Sequence, residues 1–99
     1  MKHMRESDWK LLSQLKPHAL ERLCERILKE VTRAATDNSM TQHERYGTVY
    51  GIIEEQDKTI ARIFNDLRRS NGYSRLEQMR EAGLVTVEEF GRFSEEARQ

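Results

Sequence analysis

Residues 41–70, TQHERYGTVYGIIEEQDKTIARIFNDLRRS, decide how this chain folds. Thr41 followed three residues later by Glu44 forms a capping box, which satisfies orphan amides of a first helical turn. From there Tyr46, Val49, Ile53, Ile60, Ile63, Phe64 and Leu67 recur at helical spacing and fall on one side of a cylinder. Tyr50 and Ile52 lie at the edges and widen this stripe to roughly 160°, more than the seam of a two-stranded coiled coil. One neighbour cannot cover so broad a face. The stretch therefore predicts a long central helix over 41–70 with at least two helices packed on it, from this chain or from a second copy.

The opposite face holds Glu54, Lys58, Arg62, Asn65 and Arg69. Glu54–Lys58 and Arg62–Asp66 are opposite charges four residues apart, worth a few tenths of a kcal/mol each. Gly47 and Gly51 interrupt the helix, each costing about 1 kcal/mol relative to alanine. Their spacing would suit a tight crossing with another helix. Asn71-Gly72 supplies a stop, since both tolerate the left-handed conformation. The apolar phase changes there too, with Tyr73, Leu76 and Met79 opposite Leu67. A kinked but continuous helix through Asn71-Gly72 is the alternative to that stop.

Working outward, the composition suits one small all-helical domain. The chain has 99 residues, one proline, five glycines and 34% charged residues. Seventeen basic side chains balance seventeen acidic ones. A net charge of zero argues against a strongly electrostatic partner such as nucleic acid. Cys24 is the only cysteine, so no intrachain disulfide forms, and a reducing compartment is expected. Residues 1–5 read as a loose arm. They are followed by no continuous apolar run, so neither a secretory signal nor a membrane span is expected, and the cytoplasm is the default.

Ser7 or Asp8 can cap a short helix over 7–16, with Trp9, Leu12 and Leu15 on one side. Pro17 then breaks the ladder and starts a second helix over 17–36. Its core face is Leu20, Leu23, Cys24, Ile27, Leu28, Val31 and Ala34. Its outer face, including Glu21, Arg22, Glu25 and Arg26, mixes charges as a solvated surface does. The tail, 73–97, reads as a helical hairpin. Ser74 to Glu77 offers one capping box and Thr86 to Glu89 a better one. Gly83 ends the first helix with Leu84 behind it, and Val85 and Phe90 are placed for a hydrophobic staple.

Leu76, Met79, Gly83, Leu84, Thr86, Glu88, Glu89 and Phe90 give this tail a pattern that resembles the short carboxy-terminal helical module known as SHOCT. The resemblance stops after Phe90, where Gly91-Arg92-Phe93-Ser94 replaces the usual lysine and leucine continuation. It implies contacts with partners or further copies rather than chemistry. The whole chain is similar to small bacterial helical proteins of unassigned function, a likeness that implies no activity.

No catalytic, metal or phosphate signature stands out. Glu-x-x-His, the pair that four-helix carboxylate sites use, does not occur. His18 with Glu21 and His43 with Glu44 are the nearest substitutes, and Glu44 already serves as a cap. Cys24 lies on an apolar stripe, where a thiol behaves as a small hydrophobe. Ser7 and Lys10 have the spacing of a serine–lysine pair without any supporting motif. The expectation is an all-α bundle around one long helix: a non-enzymatic interaction module without cofactor or metal, self-associating as a homodimer. Its contact residues are Tyr46, Tyr50, Ile53, Ile60, Phe64, Leu67 and Phe90. The alternative is a regulatory or nucleic-acid-associated protein whose Arg68, Arg69 and Arg75 meet phosphates, against which interleaved acidic residues count.

Overall fold

The computed structural model describes residues 3–99. Among these the chain is all-α, with four helices and no strand: α1 (Glu6–Ala35), α2 (Gln42–Phe64), α3 (Gly72–Glu81) and α4 (Val87–Gly91). The long organising helix is α1 rather than 41–70. Pro17 lies inside it and does not divide it.

The reason is packing. Leu12, Leu15, Ala19, Leu23 and Ile27 keep an unbroken helical period across Pro17, and all five are buried. Splitting the helix would misalign the two halves of that face. Pro17 itself and Ser13, whose carbonyl loses its amide donor, are both on the exposed side. Water can serve that carbonyl, so a cost of about 3 kcal/mol is outweighed by one continuous buried stripe. The helix start also differs from expectation. Arg5 occupies the cap position without a side-chain bond, and neither Ser7 nor Asp8 caps.

α2 runs antiparallel to α1, and its capping box forms: Glu44 N–H donates to Thr41 Oγ1 at 3.1 Å, and Thr41 N–H to Glu44 Oε1 at 2.8 Å. It ends at Phe64, six residues short of the expected Ser70. Asn65 turns to ψ 143° and Asp66 adopts φ +56°. The turn meets the change of apolar phase that the sequence carries here, because Leu76 and Met79 can reach the core only if the chain reverses. Asn71 secures the bend. Its side chain accepts from Arg68 N–H at 2.8 Å and donates to the Asp66 carbonyl at 2.9 Å.

α3 begins at Gly72, so Ser74 sits within its first turn and accepts from Gln78 instead of capping. Gly72 lets Met4 approach closely: a Cβ there would lie 2.8 Å from Met4 Sδ and would push the end of that side chain aside. Met4 is buried and its N–H donates to the Arg69 carbonyl at 3.0 Å, so this part of the expected loose arm is anchored. Met1 and Lys2 lie outside the described residues. Gly83 ends α3 at φ +73° with the paired bonds of a Schellman cap, Leu84 N–H to Met79 and Gly83 N–H to Arg80. Thr86 and Glu89 form the second expected capping box, but α4 lasts five residues rather than reaching residue 97. A separate turn follows, with Ala97 N–H donating to Ser94 Oγ.

The buried core gathers Met4, Leu12, Leu15, Ala19, Leu23 and Ile27 with Ile63, Phe64, Leu76, Met79, Leu84 and Phe93. Along α1 it stops at Ile27, two turns before the helix ends, in a molecule measuring 51 × 25 × 19 Å. Between Ile27 and Ile63 no residue is fully buried. The last two turns of α1, beyond Ile27, and the first half of α2 form a two-helix arm without a fully buried side chain.

Candidate interaction surface

Along α2, Tyr46, Tyr50, Ile53, Ile60 and Phe64 share one side of the helix. The structure treats the two ends of that stripe differently. Phe64 is 3% exposed within the chain's own core, and Ile60 is half-buried against it. Tyr46, Tyr50 and Ile53 are 68%, 59% and 41% exposed. Leu28 of α1, expected in the core, joins them at 61%. Leu28, Ile53 and Ile60 line a shallow apolar groove of about 200 Å³ together with Cys24 and Ile27. Ala35, Tyr46 and Val49 line its continuation toward the tip. Tyr46, Tyr50, Ile53 and Leu28 thus leave large apolar side chains uncovered on the arm, the residue types that contact surfaces favour.

The remaining expected contact residues pack within the chain. Leu67 is half-buried against the core. So is Phe90, whose ring also carries the Arg80 guanidinium 4.3 Å above its centre. Gly47 and Gly51 open onto empty space, where an added Cβ meets nothing within 4 Å, so they form no tight crossing within the chain. Alanine at either position should stabilise the protein by about 0.5–1 kcal/mol through backbone entropy, measurable by urea denaturation.

Polar joints fix the tail to α1 at the other end, and three of them involve side chains whose roles the sequence hides. Arg22 makes a bidentate pair with Glu89 at 2.8 and 2.9 Å and donates to the Leu84 carbonyl at 2.8 Å. The hydrogen bonds from Arg22 pull the Glu89 carboxyl down to about 2 and raise the arginine in turn. Arg26, one turn on, donates to the Ala82 and Gly83 carbonyls at the end of α3. Asp8 is 1% exposed and accepts from Ser94 N–H, from Ser94 Oγ at 2.6 Å and from the Tyr73 hydroxyl at 3.3 Å. Arg22 and Arg26 had the look of a solvated face, and their spacing of four was the only hint of a shared partner.

The three candidate phosphate ligands do not present a common surface. Arg69 is committed to Glu6 at 2.8 Å and to the Met4 carbonyl. Arg68 is exposed beside Asp66. Arg75 buries Nη1 without a hydrogen-bond partner. A polar cleft between α1 and α4, lined by Gln14, His18, Glu89 and Arg92, encloses only about 180 Å³, below the range of ligand pockets, and Glu89 is already held there by Arg22. Among the described residues no three His, Cys, Asp or Glu side chains converge for a metal. None of the described helices is long and apolar enough to cross a membrane. No family model matches the sequence, and neither a curated protein nor a solved structure is significantly similar to it.

Proposed function

We propose that the chain is a non-enzymatic helical interaction module that self-associates through its arm, two copies packing α2 against α2 into a four-helix arrangement. The supporting observation is the stripe that the tail lobe covers at Phe64 and leaves bare from Ile53 to Tyr46. Its spacing favours a second copy as occupant. Tyr46, Tyr50, Ile53 and Asp57 follow one another at intervals of four, three and four, which reads the same in both directions. Two antiparallel copies therefore set Tyr50 against Ile53 twice, as an isologous contact demands. The same register brings each Tyr46 hydroxyl toward Asp57 of the second copy, closing the apolar strip with a polar contact. Zero net charge leaves no long-range repulsion between copies.

Four exposed large side chains make a small contact beside the roughly 20–30 residues a side of a standard interface, so association should be weak, with Kd in the micromolar range. Sedimentation equilibrium checks this. Twice the monomer mass is expected at about 200 μM, with dissociation on dilution. Ile53→Asp should hold the protein monomeric while leaving its fold intact, because Ile53 contributes little to the monomer's own core. A wild-type monomer at the highest concentration overturns the reading.

A further inference from the structure

The joint between α2 and α3 is built from a sequence that suits two conformations. Residues 65–70 continue the helical stripe one turn past Phe64 to Leu67, and neither glycine nor proline occurs between Gly51 and Gly72. Yet the chain leaves the helix at Asn65 and passes through Asp66 at φ +56°, the one positive φ at a non-glycine among the described residues. Asn65, Asp66 and Asn71 tolerate this turn while Leu67 keeps the helical phase, so the segment suits a bend and a straight helix alike.

The side-chain bonds that hold the bend are the two from Asn71 and the Arg69 clasp on Met4 and Glu6, with Met4 itself buried against Gly72. The tail beyond it is attached differently. Arg22–Glu89, Arg26 to the end of α3, and Asp8–Ser94 join residues 56 to 86 positions apart in sequence. None of these contacts depends on which copy supplies the tail. Leu76, Met79, Leu84 and Phe93 are all at most 3% exposed, so a tail that swung free without a new dock would bare four large apolar side chains. Opening thus requires another copy's α1 as acceptor.

We propose that residues 65–71 are a hinge at which α2 and α3 straighten into one helix, and that two copies then exchange their tails, residues 72–99, each docking on the other's α1. The exchanged dimer re-forms every tail joint and relieves Asp66, at the expense of the Asn71 and Met4 contacts. It is independent of the arm.

Charge reversal in trans tests it. Arg22→Glu and Glu89→Arg are made in separate chains, both carrying Ile53→Asp so that arm contacts do not contribute. Each variant alone sets like charges face to face and is expected to stay monomeric. Unfolded together and refolded, the pair should give a 1:1 dimer that persists on dilution, since only exchanged tails restore opposite charges at both joints. Light scattering that shows monomers alone in the mixture overturns the proposal. A second measurement guards against variants that fail to fold. In chains whose sole other change is Ile53→Asp, Asp66→Ala disfavours the bend and Asp66→Gly eases it, so the exchanged fraction after refolding should differ by roughly fivefold. Equal fractions also overturn it.

Discussion

Replacing Asp8 by alanine is expected to lower the unfolding free energy by about 3 kcal/mol, the largest effect of any polar substitution in this chain. The side chain is fully enclosed and accepts three hydrogen bonds, two from Ser94 and one from Tyr73. Truncation strands all three donors in a space that water does not readily enter. Asn at position 8 keeps one acceptor oxygen but turns an amide donor toward Ser94, so an intermediate loss of about 1–2 kcal/mol is expected. The double replacement Asp8→Ala with Ser94→Ala removes partners on both sides and should cost less than the two single changes summed. Urea denaturation of the four proteins completes the cycle, and strict additivity would show that Asp8 and Ser94 do not act together. Tyr73 supplies a local probe, because burial raises its phenol above the ordinary value and loss of the joint should let it fall.

Acidification should release the second joint. The folded Glu89 carboxyl titrates at about 2, against an ordinary 4.5. Because the folded value is the lower one, the stabilisation is fully present above about pH 5 and disappears as pH falls through 4.5 toward 2. Its size is about 2 kcal/mol once the water that reaches Arg22 is allowed for. Glu44 and Asp37 are also lowered, the first chiefly by the Thr41 amide and the second chiefly by the Ser39 hydroxyl, so wild type alone will not isolate the effect. The difference between wild type and Glu89→Gln does. It should be near 2 kcal/mol at pH 6 and near zero at pH 2. A difference that stays constant over that span would show that Arg22 and Glu89 act by packing and not by charge.

The sequence revealed features that depend on a few neighbouring residues. Thr41 with Glu44, Thr86 with Glu89, and Gly83 with Leu84 each form the cap that their spacing implies. Pro17 shows where that logic stops. Local chemistry called for a break, and tertiary burial of five apolar side chains overrode it. The end of α2 shows the converse, since Leu67 carries the helical period past Phe64 and the docking of Leu76 and Met79 sets it aside. Asp8, Arg22 and Arg26 were hidden for another reason. Their partners lie dozens of residues away, and a charged side chain carries no mark of whether it will meet water or a carbonyl. On the candidate surface, Tyr46, Tyr50 and Ile53 could be named from periodicity. Their separation from Phe64 could not, because it depends on how far along α2 the tail reaches.

An arm without a single enclosed side chain between Ile27 and Ile63 also fixes how motion is distributed. Amide protons near Leu12, Leu76 and Met79 should exchange with deuterium only when the whole molecule unravels. Those toward Thr36 and Thr41 should exchange through local fraying many times faster. Rigidity should therefore grade along the 51 Å axis, firm at the lobe and looser at the tip. A protease should nick the 36–41 turn first, and a second copy gripping the arm would slow both processes there while leaving the lobe's rates unchanged.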